Sequence, residues 1–166
     1  QAHISSLKNQ RILPGEAVEF AQSFFDVKVA EIYSSYQKKL MLANSMDFDD
    51  LLIKAVELLE TSDKSLNYWS SKFQYIMIDE YQDTNMVQYR LVELLASKHK
   101  NICVVGDSDQ SIYAFRGADI RNIEEFESDF KDAKVISLEK NYRSSQKILD
   151  IANAVISNNP RKKEKK

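Results

Sequence analysis

Two adjacent carboxylates, Asp79 and Glu80, close a short apolar run, Tyr75-Ile76-Met77-Ile78. Acids so placed suit phosphate chemistry. Mg²⁺ takes one or two carboxylates and completes its shell with water and substrate phosphates, not an all-protein cage. A second carboxylate can orient or deprotonate the water that attacks a phosphoryl group. Successive side chains point opposite ways along an extended chain. The two acids therefore have different tasks, one holding the cation and the other reaching water. The competing reading is structural: two acids that end a strand and cap the next helix.

Two later stretches repeat the pattern. Ile102-Cys103-Val104-Val105-Gly106 runs into Asp107-Ser108-Asp109-Gln110-Ser111-Ile112-Tyr113-Ala114-Phe115-Arg116-Gly117. Val135-Ile136-Ser137-Leu138 runs into Glu139-Lys140-Asn141-Tyr142-Arg143. Short apolar runs bounded by polar residues read as buried strands. Helical patterns lie between and after them, over 85–97, over 119–130, and from Ser144 or Ser145 to about 157. Strands alternating with helices from residue 73 onward predict a parallel α/β sheet. Ligands bind at the carboxyl edge of such sheets.

The first 60 residues read as an all-helical lobe. Residues 1–13 form a loop or short helix, and Pro14-Gly15-Glu16 reads as a helix start. Ser23 caps a longer helix to about residue 43, with Phe24, Val27, Ile32, Tyr36 and Leu40 near helical spacing. Its charges Lys28, Glu31, Lys38 and Lys39 form a solvated face, with DNA contact as the alternative. Asp47 caps a helix over 48–60, with Asp49 and Asp50 in its first turn. Leu51, Leu52, Ala55, Leu58 and Leu59 form its apolar stripe. These three acids read as capping groups, because no His or further acid lies at ligand spacing. Residues 64–70, with Trp69, form a short helix or turn, and 161–166 a disordered charged tail.

The chain has 166 residues, 43% hydrophobic and 29% charged, enough for one soluble domain with a core. Its net charge of -2 provides no global field for nucleic acid, so such binding must use local patches. The single cysteine, Cys103, rules out an intramolecular disulfide and fits a reducing cytosol. No apolar stretch is long enough to cross a membrane as a helix. The chain opens on Gln1, not Met, as a piece of a longer chain would.

The three clusters in order, with the Met46-Asp47-Phe48-Asp49-Asp50-Leu51-Leu52 segment, resemble UvrD/Rep/PcrA-type superfamily 1 DNA helicases over about residues 13–160. The resemblance implies a partial RecA-like parallel sheet flanked by helices, with an N-terminal helical lobe. Residues 1–45 would belong to the inserted subdomain 1B and 46–143 to the back half of the first motor domain, 1A. Residues 144–166 would lead toward the second motor domain. Asp79 would hold Mg²⁺, with Glu80 beside it activating water. Gln110 would touch the terminal phosphate of ATP and report nucleotide state, since an amide both donates and accepts. Arg143 would contact the terminal phosphate and Tyr142 would stack on adenine. Phe115 stands where relatives usually carry tryptophan for stacking on single-stranded DNA. Arg116 would pair with an acid of the ATP site or approach DNA; Tyr113 would face DNA or the core. Gln82 and Asp83 would link the ATP site to neighbouring segments.

The resemblance also implies 3′ to 5′ movement on single-stranded DNA and action at duplex junctions, in the cytoplasm. A non-catalytic module binding single-stranded DNA or protein is the alternative. A two-metal phosphohydrolase fits poorly, for lack of His and further acids. The sequence has no Gly-x-x-x-x-Gly-Lys-Ser/Thr loop, the element that cradles phosphates in such motors. By itself the chain is therefore expected to be inactive. In the family the loop-bearing strand lies between those at 102–106 and 135–138. The sheet is thus expected to rearrange, or to pair between copies, near 102–106.

Overall fold

The computed structural model describes residues 1–158, apart from the side chain of Arg116. The basic tail and the Arg116 side-chain roles lie outside the described residues. The chain divides into two units, Gln1–Asp129 and a smaller one beginning at Phe130.

Four helices come first, and side-chain caps start three of them. Helix α1 (Ala2–Asn9) lacks one. Ser23 starts α2 (Phe24–Leu42) by accepting the Asp26 N–H. Asp47 and Asp50 form a reciprocal capping box at α3 (Phe48–Thr61), and Ser62 caps α4 (Asp63–Lys72). Each cap satisfies backbone donors that the first helical turn leaves unpaired.

Two apolar clusters hold this unit together. One joins Ile4, Ala17, Ala30 and Tyr33, with Leu7, Ile12, Val29 and Tyr36 against it. The other joins Val56 and Leu59 of α3 to Val87 and Leu94 of α5 (Met86–Ala96), with Trp69 of α4 beside them. Burying each Ile, Val or Leu side chain among them contributes about 1.5–3 kcal/mol. Lys8, 1% exposed, lies against the Tyr33 and Tyr36 rings of the first cluster. Its Nζ meets Asp47 Oδ2 at 2.7 Å and Asp50 Oδ1 at 2.8 Å. The Tyr36 hydroxyl donates to Asp47 and the Gln37 amide to Asp50. Arg11 and Arg90 both bind Glu60 nearby.

Strands β1 (Ile76–Ile78) and β2 (Ile102–Val104) pair in parallel, Ile76 opposite Ile102 and Ile78 opposite Val104. The parallel α/β expectation holds in this reduced form, and the unit is otherwise helical. Two short helices, α6 (Arg121–Glu124) and α7 (Phe126–Asp129), close it. The second unit carries α8 (Gln146–Ile156).

Several expectations need correction. Residues 135–138 form no strand: among the described residues the sheet has two strands, and Val135, Ile136 and Leu138 are exposed. An apolar run becomes a strand only where a neighbour accepts its backbone hydrogen bonds. The strands at 76–78 and 102–104 are half-buried on one face and open on the other, since Met77 and Cys103, register partners, are both exposed. The helix expected over 119–130 breaks at Glu125 into α6 and α7. Residues 14–20 form turns, not a helix. The α2 core face is Ala30 and Tyr33 while Phe24 and Ile32 are exposed, and α3 buries Val56 while Leu51 and Leu58 are exposed.

Candidate active site

The parallel register puts the carboxyl ends of β1 and β2 side by side, so their following loops touch. Val105 N–H donates to Ile78 O at 2.8 Å and Tyr81 N–H to Val105 O at 3.0 Å. Asp79 and Glu80 are both exposed on this edge. Glu80 N–H donates to Asp79 Oδ1 at 2.9 Å. Glu80 itself sits in the left-handed region, φ 51°. A non-glycine residue there is uncommon, and such strain gathers at functional sites. The sharp turn sends the chain into a 3₁₀ turn at Tyr81–Asp83.

That turn is anchored from below. Tyr81 and Gln82 are buried, and the Tyr81 ring meets Phe126 edge-on, centroids 5.6 Å apart. Burial pushes the Tyr81 hydroxyl well above its ordinary pKa. Thr84 O accepts from Asp119 N–H at 2.9 Å and from the Asn122 amide at 3.1 Å. Asn85 starts α5 with a capping box completed by Gln88. Its amide also donates to Asn9 Oδ1 at 2.8 Å, tying the loop to the end of α1.

The second loop is held to the first by Gln82. Its Oε1 accepts Asp107 N–H at 3.1 Å, and its Nε2 donates to Glu80 Oε2 at 2.8 Å. Gln110 is exposed, and its amide donates to Asp107 Oδ2 at 3.1 Å. Asp79, Glu80 and Gln110 thus belong to one bonded edge. Further along, the Tyr113 and Phe115 ring centroids lie 5.8 Å apart, and Phe115 is 78% exposed. Gly117 follows with φ 84°, which a side chain would strain.

Tyr142 and Arg143 lie in the second unit, both exposed. Lys140 Nζ stands 5.1 Å from the Tyr142 ring centroid. Asn141 Oδ1 accepts the N–H groups of Arg143 and Ser144, each at 2.9 Å. This turn brings the chain to the start of α8.

Asp79 and Glu80 fit Mg²⁺ in donor type and accessibility: both are exposed carboxylates, and such a cation completes its shell with water and substrate phosphates. Among the described residues no group of three or more His, Cys, Asp or Glu forms a metal cage. Asp47 and Asp50 are taken by capping and by Lys8. Sequence reasoning missed Lys8. A lone lysine in a short amphipathic helix carries no local signal of burial, because its partners lie 39 and 42 residues away.

Parallel strands followed by an acid pair and a glutamine-bearing loop define an α/β domain with exposed polar groups along the carboxyl edge of its sheet. The chain belongs to the UvrD/REP helicase family: the match to the UvrD/REP helicase N-terminal domain covers residues 1–131. It is 53% identical over 162 residues to the ATP-dependent DNA helicase PcrA of Staphylococcus aureus (strain Mu50). It is 52% identical over 162 residues to that of Staphylococcus epidermidis (strain RP62A). Each match covers 98% of this chain and 22% of the relative. The chain thus spans about a fifth of the length of these curated relatives, and the UvrD/Rep/PcrA resemblance is borne out.

Proposed function

We propose that the full-length protein is an ATP-driven helicase that moves 3′ to 5′ on single-stranded DNA and opens duplexes at junctions, in the cytoplasm. The bonded edge that joins Asp79 and Glu80 to the Gln110 loop carries this reading. Family membership supports it. In this reading Asp79 holds Mg²⁺, and Glu80, a further ligand beside it, takes a proton from the attacking water. Bound Mg²⁺ neutralises phosphate charge, and ATP supplies the phosphoryl group. Gln110 senses the terminal phosphate, Arg143 stabilises charge there, and Tyr142 stacks on adenine. Phe115, with Tyr113 and Arg116, meets the DNA bases or backbone. Residues 1–45 belong to the inserted lobe 1B, 46–143 to motor domain 1A, and 144–166 lead on toward the second motor domain.

Glu80→Gln in the full-length protein is expected to lower DNA-stimulated ATP turnover by about 10²–10⁴-fold, with single-strand binding retained. Turnover at the wild-type rate would remove Glu80 from the chemistry. The 166-residue chain, without a Gly-rich phosphate loop, is expected to turn over no ATP alone. The second reading is a non-catalytic module that holds DNA or protein, and the exposure of Phe115 favours it. It requires binding without turnover in the full-length protein.

A further inference from the structure

One buried side chain touches both loops of the edge. Gln82 is 1% exposed. Its amide nitrogen faces two carboxylates, Glu80 Oε2 at 2.8 Å and Asp83 Oδ2 at 3.3 Å. Its amide oxygen faces the Asp107 N–H at 3.1 Å. Its backbone oxygen accepts the hydroxyl of Ser111, next to Gln110, at 3.3 Å. The opposite amide orientation would set an oxygen against two carboxylates and an NH₂ against an N–H. The network therefore fixes the orientation.

The surroundings are shaped around this side chain. A Cβ at Gly106 would stand 2.5 Å from Gln82 Oε1 and 2.8 Å from Ile123 Cδ1. Any side chain at 106 would crowd the amide and force it or Ile123 to shift. Glutamate in place of Gln82 would keep an acceptor for Asp107 but lose the donor to Glu80. Leucine would lose both.

We propose that Gln82 is a positioning residue that aims the Glu80 carboxylate and locks it to the loop bearing Gln110. This rests on the reading that Glu80 activates water. One amide bonds the water-activating group and the phosphate-sensing loop at once. A shift of either loop is therefore transmitted to the other through two hydrogen bonds.

The test uses the full-length helicase with Gln82→Glu, Gln82→Leu, Glu80→Gln and the double variant Glu80→Gln/Gln82→Glu. Both Gln82 variants are expected to lose about 10- to 100-fold in kcat, the usual effect of removing an orienting partner, with KM for ATP unchanged. Amide hydrogen exchange separates the two bonds without turnover. Exchange over 106–111 should quicken in Gln82→Leu and stay slow in Gln82→Glu, while α5 stays protected in both. The double variant should be no slower than Glu80→Gln alone. Wild-type kcat in both Gln82 variants, with Glu80→Gln inactive, overturns the role of Gln82 and leaves that of Glu80 standing. So does faster exchange throughout α5 together with a raised KM, the mark of general loosening. Full turnover by Glu80→Gln overturns the role of Glu80 and this one with it.

Discussion

Lys8 carries a charge into the interior and is 1% exposed. Such a charge persists only where partners meet it, and here Asp47, Asp50 and the faces of Tyr33 and Tyr36 do so. Removing one partner of a buried pair strands the other. Lys8→Met is expected to cost about 3–5 kcal/mol, read as a lower urea midpoint. A loss under about 1 kcal/mol would show that water already solvates the cluster. At Phe115, substitution by alanine should weaken single-stranded DNA binding by about 1–3 kcal/mol, followed by fluorescence anisotropy. Phe115→Trp should bind at least as tightly as wild type, since the larger ring stacks better. Unchanged affinity in Phe115→Ala would take the ring out of the interface. The acid pair and this aromatic were legible as residue types in order. The buried lysine was not, because burial is decided by residues distant in sequence.

At the scale of elements, helix starts were the most legible feature. Ser23, Asp47 and Asn85 begin helices with side-chain caps, whereas α8 starts after Ser145 without one and the start expected at Pro14 is a run of turns. Caps act within one turn, so sequence contains them. The α3 start also sets a pH dependence. Burial raises the Asp47 carboxyl, but the bonds from Lys8, Asp50 N–H and Tyr36 outweigh it and hold its pKa below 3.8. Hydrogen bonds from Arg11, then Arg90, hold Glu60 below 4.5. A lowered folded-state pKa contributes stability above the unfolded value that is lost as pH falls through the folded one. Tm is therefore expected to hold from pH 7 to about 5 and then fall through the carboxylate range near pH 4. A flat Tm down to about pH 3 would show that these pairs contribute nothing net. The apolar faces of α2 and α3 were less legible. Their patterns admit more than one stripe, and only the packed neighbours select Ala30, Tyr33 and Val56.

For the whole molecule, the exposed face and edges of the sheet govern association. Two strands leave edges without a third partner among the described residues, and Tyr75, Met77 and Val105 are exposed beside them. Unpaired edges and bare apolar faces favour association. The isolated chain is expected to self-associate with rising concentration in sedimentation velocity, and Met77→Lys should reduce this. A monomer at every concentration, or association that ignores the added charge, would sink the idea.

Sequence alone determined the family, the order of acid pair, glutamine loop and Tyr-Arg pair, and the capped helix starts at Ser23 and Asp47, because each depends on residue type at short spacing. Tertiary structure alone decided that 135–138 is not a strand, that Lys8 is buried, and which groups the Gln82 amide bonds. Those outcomes depend on which partner arrives from elsewhere in the chain. A strand needs a neighbour, a buried charge needs a counter-charge, and a bridging amide needs both loops within reach.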